Sequence, residues 1–253
     1  MIELQAGEAT VAVNAVQGGR IAQITIGNRP ILIDDPGHGP MGWGCYPMAP
    51  WAGRVRRGRF VFDDRPYQLP INLEPHAIHG TCFDQAWTLI DQGPDHVDLH
   101  RPLSWPFGGV AQQHLQLEPD ALLCLLTVLA TDQPMPATIG WHPWFVKPDR
   151  VEVSFAAMYA RDAEHIPTGQ LVEPSPPPWD DCFVGPAHLP RLHYDGLTVT
   201  VSSDCDHWVV YDMPAHATCI EPQSGPPDAF NLGSATRLEP GEMLQRVMTI
   251  RWN

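Results

Sequence analysis

Apolar and polar residues alternate with a period close to two along much of this chain. "ATVAVNAV" alternates, "QGGR" turns, and "IAQITIG" alternates again, which is the pattern of a hairpin with one buried face. "HLQLEPDALLCLLTVLAT" repeats the scheme around Pro119 and Asp120. "LTVTVSSDCDHWVVYDM" and "MLQRVMTIRW" supply further strands. The 28 prolines and 21 glycines reinforce the choice, because both weaken helix interiors and punctuate strands. No segment longer than two turns carries a helical period. The pattern therefore predicts an all-β fold, specifically a large antiparallel β-sandwich. The 253 residues are read as a single domain, 1–253. "EPSPPPWDD", at 173–181, is the one candidate boundary, and it reads as a rigid loop within the domain.

Charge narrows the partners. A net charge of -14 argues against a general nucleic-acid binder, because neutralising phosphates requires clustered Lys and Arg. It also disfavours an anionic membrane surface. No basic-then-apolar leader opens the chain, and no run approaches the roughly 18 apolar residues of a membrane span. Six cysteines are scattered without a CxxC pair, which fits reduced thiols and a cytoplasmic location. GxGxxG, P-loop, GxSxG, HExxH and HxH motifs are missing, so dinucleotide, NTP, α/β-hydrolase, zincin and cupin-type metal readings lack support.

Five stretches put polar chemistry where the pattern expects core or turn. In "PWAGRVRRGRF", Arg54 offers a planar fork of donors suited to vicinal hydroxyls, carboxylates or phosphate. In "HAIHG", His76 and His79 would face opposite ways in a strand, so a shared metal is not expected, and His79 is placed to meet a ligand from a loop. "GWHPWF" reads as a strand halted by Pro143, with His142 and Trp144 on one face and Trp141 on the other. "WDDCF" carries Asp180 and Asp181 after the proline-rich loop. "IEPQSGPPDAFN" places Glu221 at the end of an apolar run, where partial removal from water raises a carboxyl's pKa toward that of a working general base. Read singly, each residue has a structural explanation, as a solvated turn, a packed histidine or a strand-end carboxylate. Together with nine tryptophans they suit a sugar, which is held by aromatic faces and a few directed polar groups.

These five stretches, in this order, resemble the aldose 1-epimerase (galactose mutarotase) family, especially its shorter bacterial members. The likeness runs from about residue 43 to 231, and "IEPQSGPPDAFN" is its most specific part. It implies a galactose mutarotase-like supersandwich and an isomerase of carbohydrate metabolism that interconverts the α and β anomers of a free aldose without a cofactor. By position it implies Glu221 as catalytic base and His142 as catalytic acid. Arg54, His79 and Asp180 would orient the sugar, with Asp181 able to align in place of Asp180, and Trp144 would pack against it. The chain departs from the family pattern at Gly53 and His76, where Asn is usual, and at Trp144, where Tyr is usual. Two other readings stay open. One is a hexose-6-phosphate 1-epimerase using Arg56, Arg57 and Arg59 for phosphate. The other is a non-catalytic sugar-binding protein, against which the retention of both Glu221 and His142 argues.

Overall fold

A computed structural model of the chain describes residues 1–34, 37 and 39–253. Eleven strands form one sheet and eight form another, and every strand pairing in both is antiparallel. The hairpins read from alternation are present. Ala9–Asn14 pairs with Arg20–Ile26, and Val110–Glu118 pairs with Ala121–Leu129 across Pro119 and Asp120. Among the described residues, helix is confined to Ala229–Leu232 and a 3₁₀ turn at Arg56–Gly58. The expected all-β sandwich is therefore the observed architecture. The proline-rich segment joins Pro167–Val172 to Asp180–Pro186, which flank Phe155–Arg161 within the same sheet.

One hydrophobic core lies between the sheets. Ile24, Trp141, Phe145 and Ile220 enter it from the larger sheet, and Leu115, Leu126, Met248 and Ile250 enter it from the smaller. All eight side chains are fully buried. The larger sheet also carries a smaller apolar cluster of Tyr46, Met48, Ala52 and Phe83, with Met41 and Trp144 packed against it. Alternation sorts residues between the two clusters. Along Gly140–Val146, Trp141 and Phe145 join the main core, whereas Trp144 joins the smaller cluster.

Pro143 does not halt this strand, contrary to the reading of "GWHPWF". Gly140–Val146 is an interior strand of the larger sheet, between Cys45–Met48 and Ala217–Gln223. Pro143 lies opposite Cys45 in the ladder. Pairing continues beyond it, because the Trp144 N–H donates to Gly44 O at 2.8 Å and the Val146 N–H donates to Ile31 O at 3.0 Å. A proline removes one donor from a ladder, and here the neighbouring amides carry the strand on.

All six cysteines are buried free thiols. No helix among the described residues is long and apolar enough to cross a membrane.

The division of labour across Gly140–Val146 is measurable. Trp141→Ala empties a fully buried site and is expected to cost about 3–5 kcal/mol in urea denaturation. Ile90, 60% exposed, is a control whose replacement by Ala should change stability by about 0.5 kcal/mol or less.

Candidate active site

The site forms on the face of the larger sheet opposite the main core. Gly140 pairs with Gln223 and Trp144 with Cys219, a register that brings His142 level with Glu221 on the next strand. On its other side His142 pairs with Tyr46. His142 Nε2 lies 3.3 Å from Glu221 Oε1. These residues line a cavity of about 290 Å³, near the lower end of the roughly 300–1,000 Å³ usual for small-molecule sites. That volume suits one small ring better than a dinucleotide.

The imidazole is held by aromatic stacking. Tyr46 lies on it at 4.9 Å between ring centres with an interplanar angle of 28°, and Trp144 at 5.2 Å and 11°. Trp144 borders the cavity, but stacking on His142 occupies part of its ring surface, so it positions the imidazole as well as offering apolar area to a ligand. Behind Tyr46 sits Arg20, fully buried. It donates to the carbonyls of Gln17, Pro40, Trp43 and Phe83, and its guanidinium lies over the Trp43 and Tyr46 rings.

Burial dominates the electrostatics. His142 and Glu221 are 6% and 2% exposed. Removal from water pushes the His142 imidazole down to about 3, and Arg20 adds to that push. Burial also drives the Glu221 carboxyl well above its ordinary range, with the nearby Asp180 charge adding to the effect. Arg54 and a hydrogen bond from Gln223 Nε2 to Glu221 Oε2, 3.3 Å long, pull the other way. Both shifts favour the uncharged pair, with one proton on Glu221 and a neutral imidazole beside it.

The other sequence-derived residues gather around this pair. Arg54, His79, Asp180 and Trp144 all line the cavity with His142 and Glu221. Arg54 Nη2 reaches Asp180 Oδ2 at 3.5 Å. Asp181 turns away, its Oδ1 bound to Arg161 Nε at 2.7 Å, while Arg161 Nη1 also donates to the Asp180 backbone carbonyl. Of the two aspartates it is thus Asp180 that faces the cavity. His79 Nδ1 accepts from the Gly53 N–H at 3.3 Å, and the His79 N–H donates back to Gly53 O at 3.1 Å. Burial and the neighbouring His142 and Arg54 hold His79 neutral, so its proton is on Nε2. His76 serves the framework: its Nδ1 accepts from the Arg57 N–H at 3.1 Å.

Gly53, one of the departures from the family pattern, has a packing reason. Its φ is +71°, and a Cβ there would meet Pro227 at 2.8 Å. Only glycine adopts that backbone so close to a proline without strain.

Some of the machinery was not singled out in the sequence. Tyr46 had a signal, its alternation with Cys45 toward the far face. Gln223 shares the face of Glu221 two residues on. Asp228, within "PDAFN", is 3% exposed and fastens the Arg54 segment. Its Oδ1 accepts from the Arg56 N–H at 2.9 Å, and its own N–H donates to Arg54 O at 2.6 Å. Tyr211 comes to the cavity wall from a strand whose alternation left the destination of its exposed-parity residues open.

Fold and site together define a class: an antiparallel supersandwich with a buried histidine–carboxylate pair lining a cavity of about 290 Å³. The aldose 1-epimerase family profile matches residues 1–251, and the chain belongs to that family. Its curated relative YphB, an uncharacterised Escherichia coli (strain K12) protein, is 27% identical over 245 residues, covering 82% of this chain and 83% of YphB. A galactose mutarotase-like protein from Clostridium acetobutylicum superposes with a TM-score of 0.87 at 18% identity, covering 99% of this chain and 94% of the other. A galactose 1-epimerase from Lactobacillus acidophilus NCFM does so with a TM-score of 0.81 at 16% identity, covering 98% and 92%. At such identities the structural likeness establishes the shared fold.

The pair also leaves a stability signature. A carboxyl raised by folding stabilises the fold below its ordinary pKa, and that contribution is lost as pH rises toward the raised value. An imidazole lowered by folding stabilises above about 6.5, and its contribution is lost as pH falls toward the lowered value. At pH 7.5 the folded chain therefore bears the cost of keeping Glu221 protonated. Glu221→Gln removes that cost and should raise the protein's stability at that pH. The gain should vanish near pH 4, as measured by denaturant titration at both values.

Proposed function

We propose that this protein is an aldose 1-epimerase, a mutarotase that interconverts the α and β anomers of a free aldose by opening and reclosing the ring. The observation that carries the reading is the 3.3 Å contact between His142 Nε2 and Glu221 Oε1 at the base of the cavity. Anomer exchange needs a base for the C1 hydroxyl proton and an acid for the ring oxygen, in reach of one ring at the same time. It needs no external oxidant, reductant or group donor.

The proton count of the pair suits this task. With a closed sugar bound, the working form is Glu221 carboxylate beside protonated His142. Glu221 accepts the C1 hydroxyl proton as the C1–O5 bond breaks, and His142 gives its proton to O5. The pair is then protonated Glu221 and neutral His142, the arrangement that burial already favours in the empty cavity. Rotation about C1–C2 turns the other face of the aldehyde to O5. Reclosure returns the O5 proton to His142 and the Glu221 proton to the new C1 hydroxyl. The low-dielectric cavity thus favours the pair's state at ring opening. Bound hydroxyls, with Arg54 nearby, favour the charged state that starts the cycle. Arg54, Asp180 and the Nε2–H of His79 supply directed polar groups for the remaining hydroxyls.

A phosphorylated substrate is less well supported, because the arginines proposed for it are already engaged. Arg56 binds Asp162 at 2.5 Å and Glu164 at 2.6 Å, and Arg57 binds Glu164 at 2.6 Å. Arg59 donates to Gln68 at 3.0 Å. Nor do these residues form one strand face, since a 3₁₀ turn with Arg57 at φ +52° separates Arg54–Val55 from Arg59–Phe62.

Polarimetry of freshly dissolved α-glucose and α-galactose tests the reading, with the buffer rate subtracted. Wild-type protein should speed relaxation, and Glu221→Gln and His142→Asn should each lower kcat by about 10²–10⁴-fold. A panel of free and 6-phosphorylated aldoses that all relax at the buffer rate while one still binds would leave a binding protein instead. The pH profile is a second test. The pair keeps its single proton from the lowered imidazole value up to the raised carboxyl value, so kcat/KM should pass through the ordinary imidazole range without a break. A break near 6.5, the ordinary imidazole value, would contradict the assignment.

A further inference from the structure

We propose that His142, Glu221 and Cys219 together form a site for a thiophilic divalent cation of the zinc class, and that such a cation shuts the catalytic cavity. Cys219 precedes Glu221 by two residues on the same strand and lies opposite Trp144 in the ladder. It therefore shares the face of the catalytic pair, and the ring-opening chemistry gives it no task. One ligand atom from each of the three residues, a ring nitrogen, a thiol sulfur and a carboxylate oxygen, lies within 4.8 Å of the other two. All three residues are buried. A nitrogen, sulfur and oxygen set selects zinc, cadmium or cobalt over magnesium or calcium.

Geometry and charge both allow it. Zinc bond lengths of about 2.0–2.3 Å with tetrahedral angles put ligand atoms about 3.3–3.8 Å apart. The three side chains would close by about 1 Å, within the reach of small torsional changes. The cavity beside His142 and Glu221 leaves the fourth position to water. On binding, the thiol proton and the proton shared by the catalytic pair pass to buffer. A dication with one thiolate and one carboxylate is neutral overall, so the site exchanges two protons for one metal without burying net charge. No electron transfer is involved. Binding removes both the acid and the base from the sugar.

The test uses the full chain with cadmium or cobalt as optical probe and zinc as inhibitor. Wild-type protein should give a thiolate-to-metal absorption band that saturates at one metal per chain. Cys219→Ser and Cys219→Ala should both lack the band, with two variants guarding against a folding defect in either. His96→Ala should retain the band and its saturation at one metal per chain, since the exposed Asp91, His96 and Asp98 cluster carries no thiolate. Zinc should slow wild-type mutarotation, and Cys219→Ser, keeping its zinc-free rate, should need at least about tenfold more zinc for half inhibition. No band in wild type, a band that survives in Cys219→Ser, or equal zinc sensitivity in the two proteins would overturn the proposal. The inhibition arm rests on the mutarotase reading and the absorption arm does not, so a chain without mutarotase activity would still reveal whether the metal site exists.

Discussion

His142 and Glu221 face each other across neighbouring strands at 3.3 Å, and neither has enough water around it to ionise cheaply. Most of the site's construction follows from placing two titratable groups there. Isolated buried charges would be prohibitive, but a pair sharing one proton is neutral as a unit and costs far less. Tyr46 and Trp144 each stack on the imidazole, Gln223 donates to the carboxyl, and the Gly53–His79 reciprocal hydrogen bonds fix the loop alongside. The sandwich supplies rigidity from below. The same strand that presents His142 sends Trp141 and Phe145 into the main core.

Polar groups around the cavity follow a second rule: the arginines and aspartates beside it are paired within the chain, and the Arg54–Asp180 pair is the one that lines the wall. Arg54 and Asp180 remain at the wall, 3.5 Å apart and partly buried. Asp181 is taken by Arg161, while Asp162, Glu164 and Asp228 take up Arg56. Asp228 also anchors the Arg54 segment through backbone hydrogen bonds. This ties the "PDAFN" stretch to the arginine more than 170 residues earlier in the chain. The network engages Arg56 and Arg57 of the arginine-rich 54–59 stretch with carboxylates of the chain itself.

Much of this is legible in the amino-acid sequence. Strand alternation is a local property, and it locates hairpins such as Ala9–Asn14 with Arg20–Ile26 correctly. It also separates Trp141 from Trp144 by face. What is not legible depends on pairing between distant segments. The level placement of His142 and Glu221, the choice of Asp180 over Asp181 at the cavity, and the capture of Arg56 by Glu164 are all set by inter-strand register or loop packing. Pro143 misleads for a related reason. A proline is a local breaker by rule, yet sheet neighbours on either side of Gly140–Val146 keep the strand going around the one missing donor.

The proposed mechanism stands on one assignment, in which Glu221 would serve the C1 hydroxyl and His142 the ring oxygen. A crystal structure of the Glu221→Gln variant with a bound aldose decides it. The C1 hydroxyl should lie within hydrogen-bond distance of the residue 221 side chain, and the ring oxygen within the same distance of His142 Nε2. A sugar bound with C1 turned toward Arg54 and Asp180, away from the pair, would overturn the assignment.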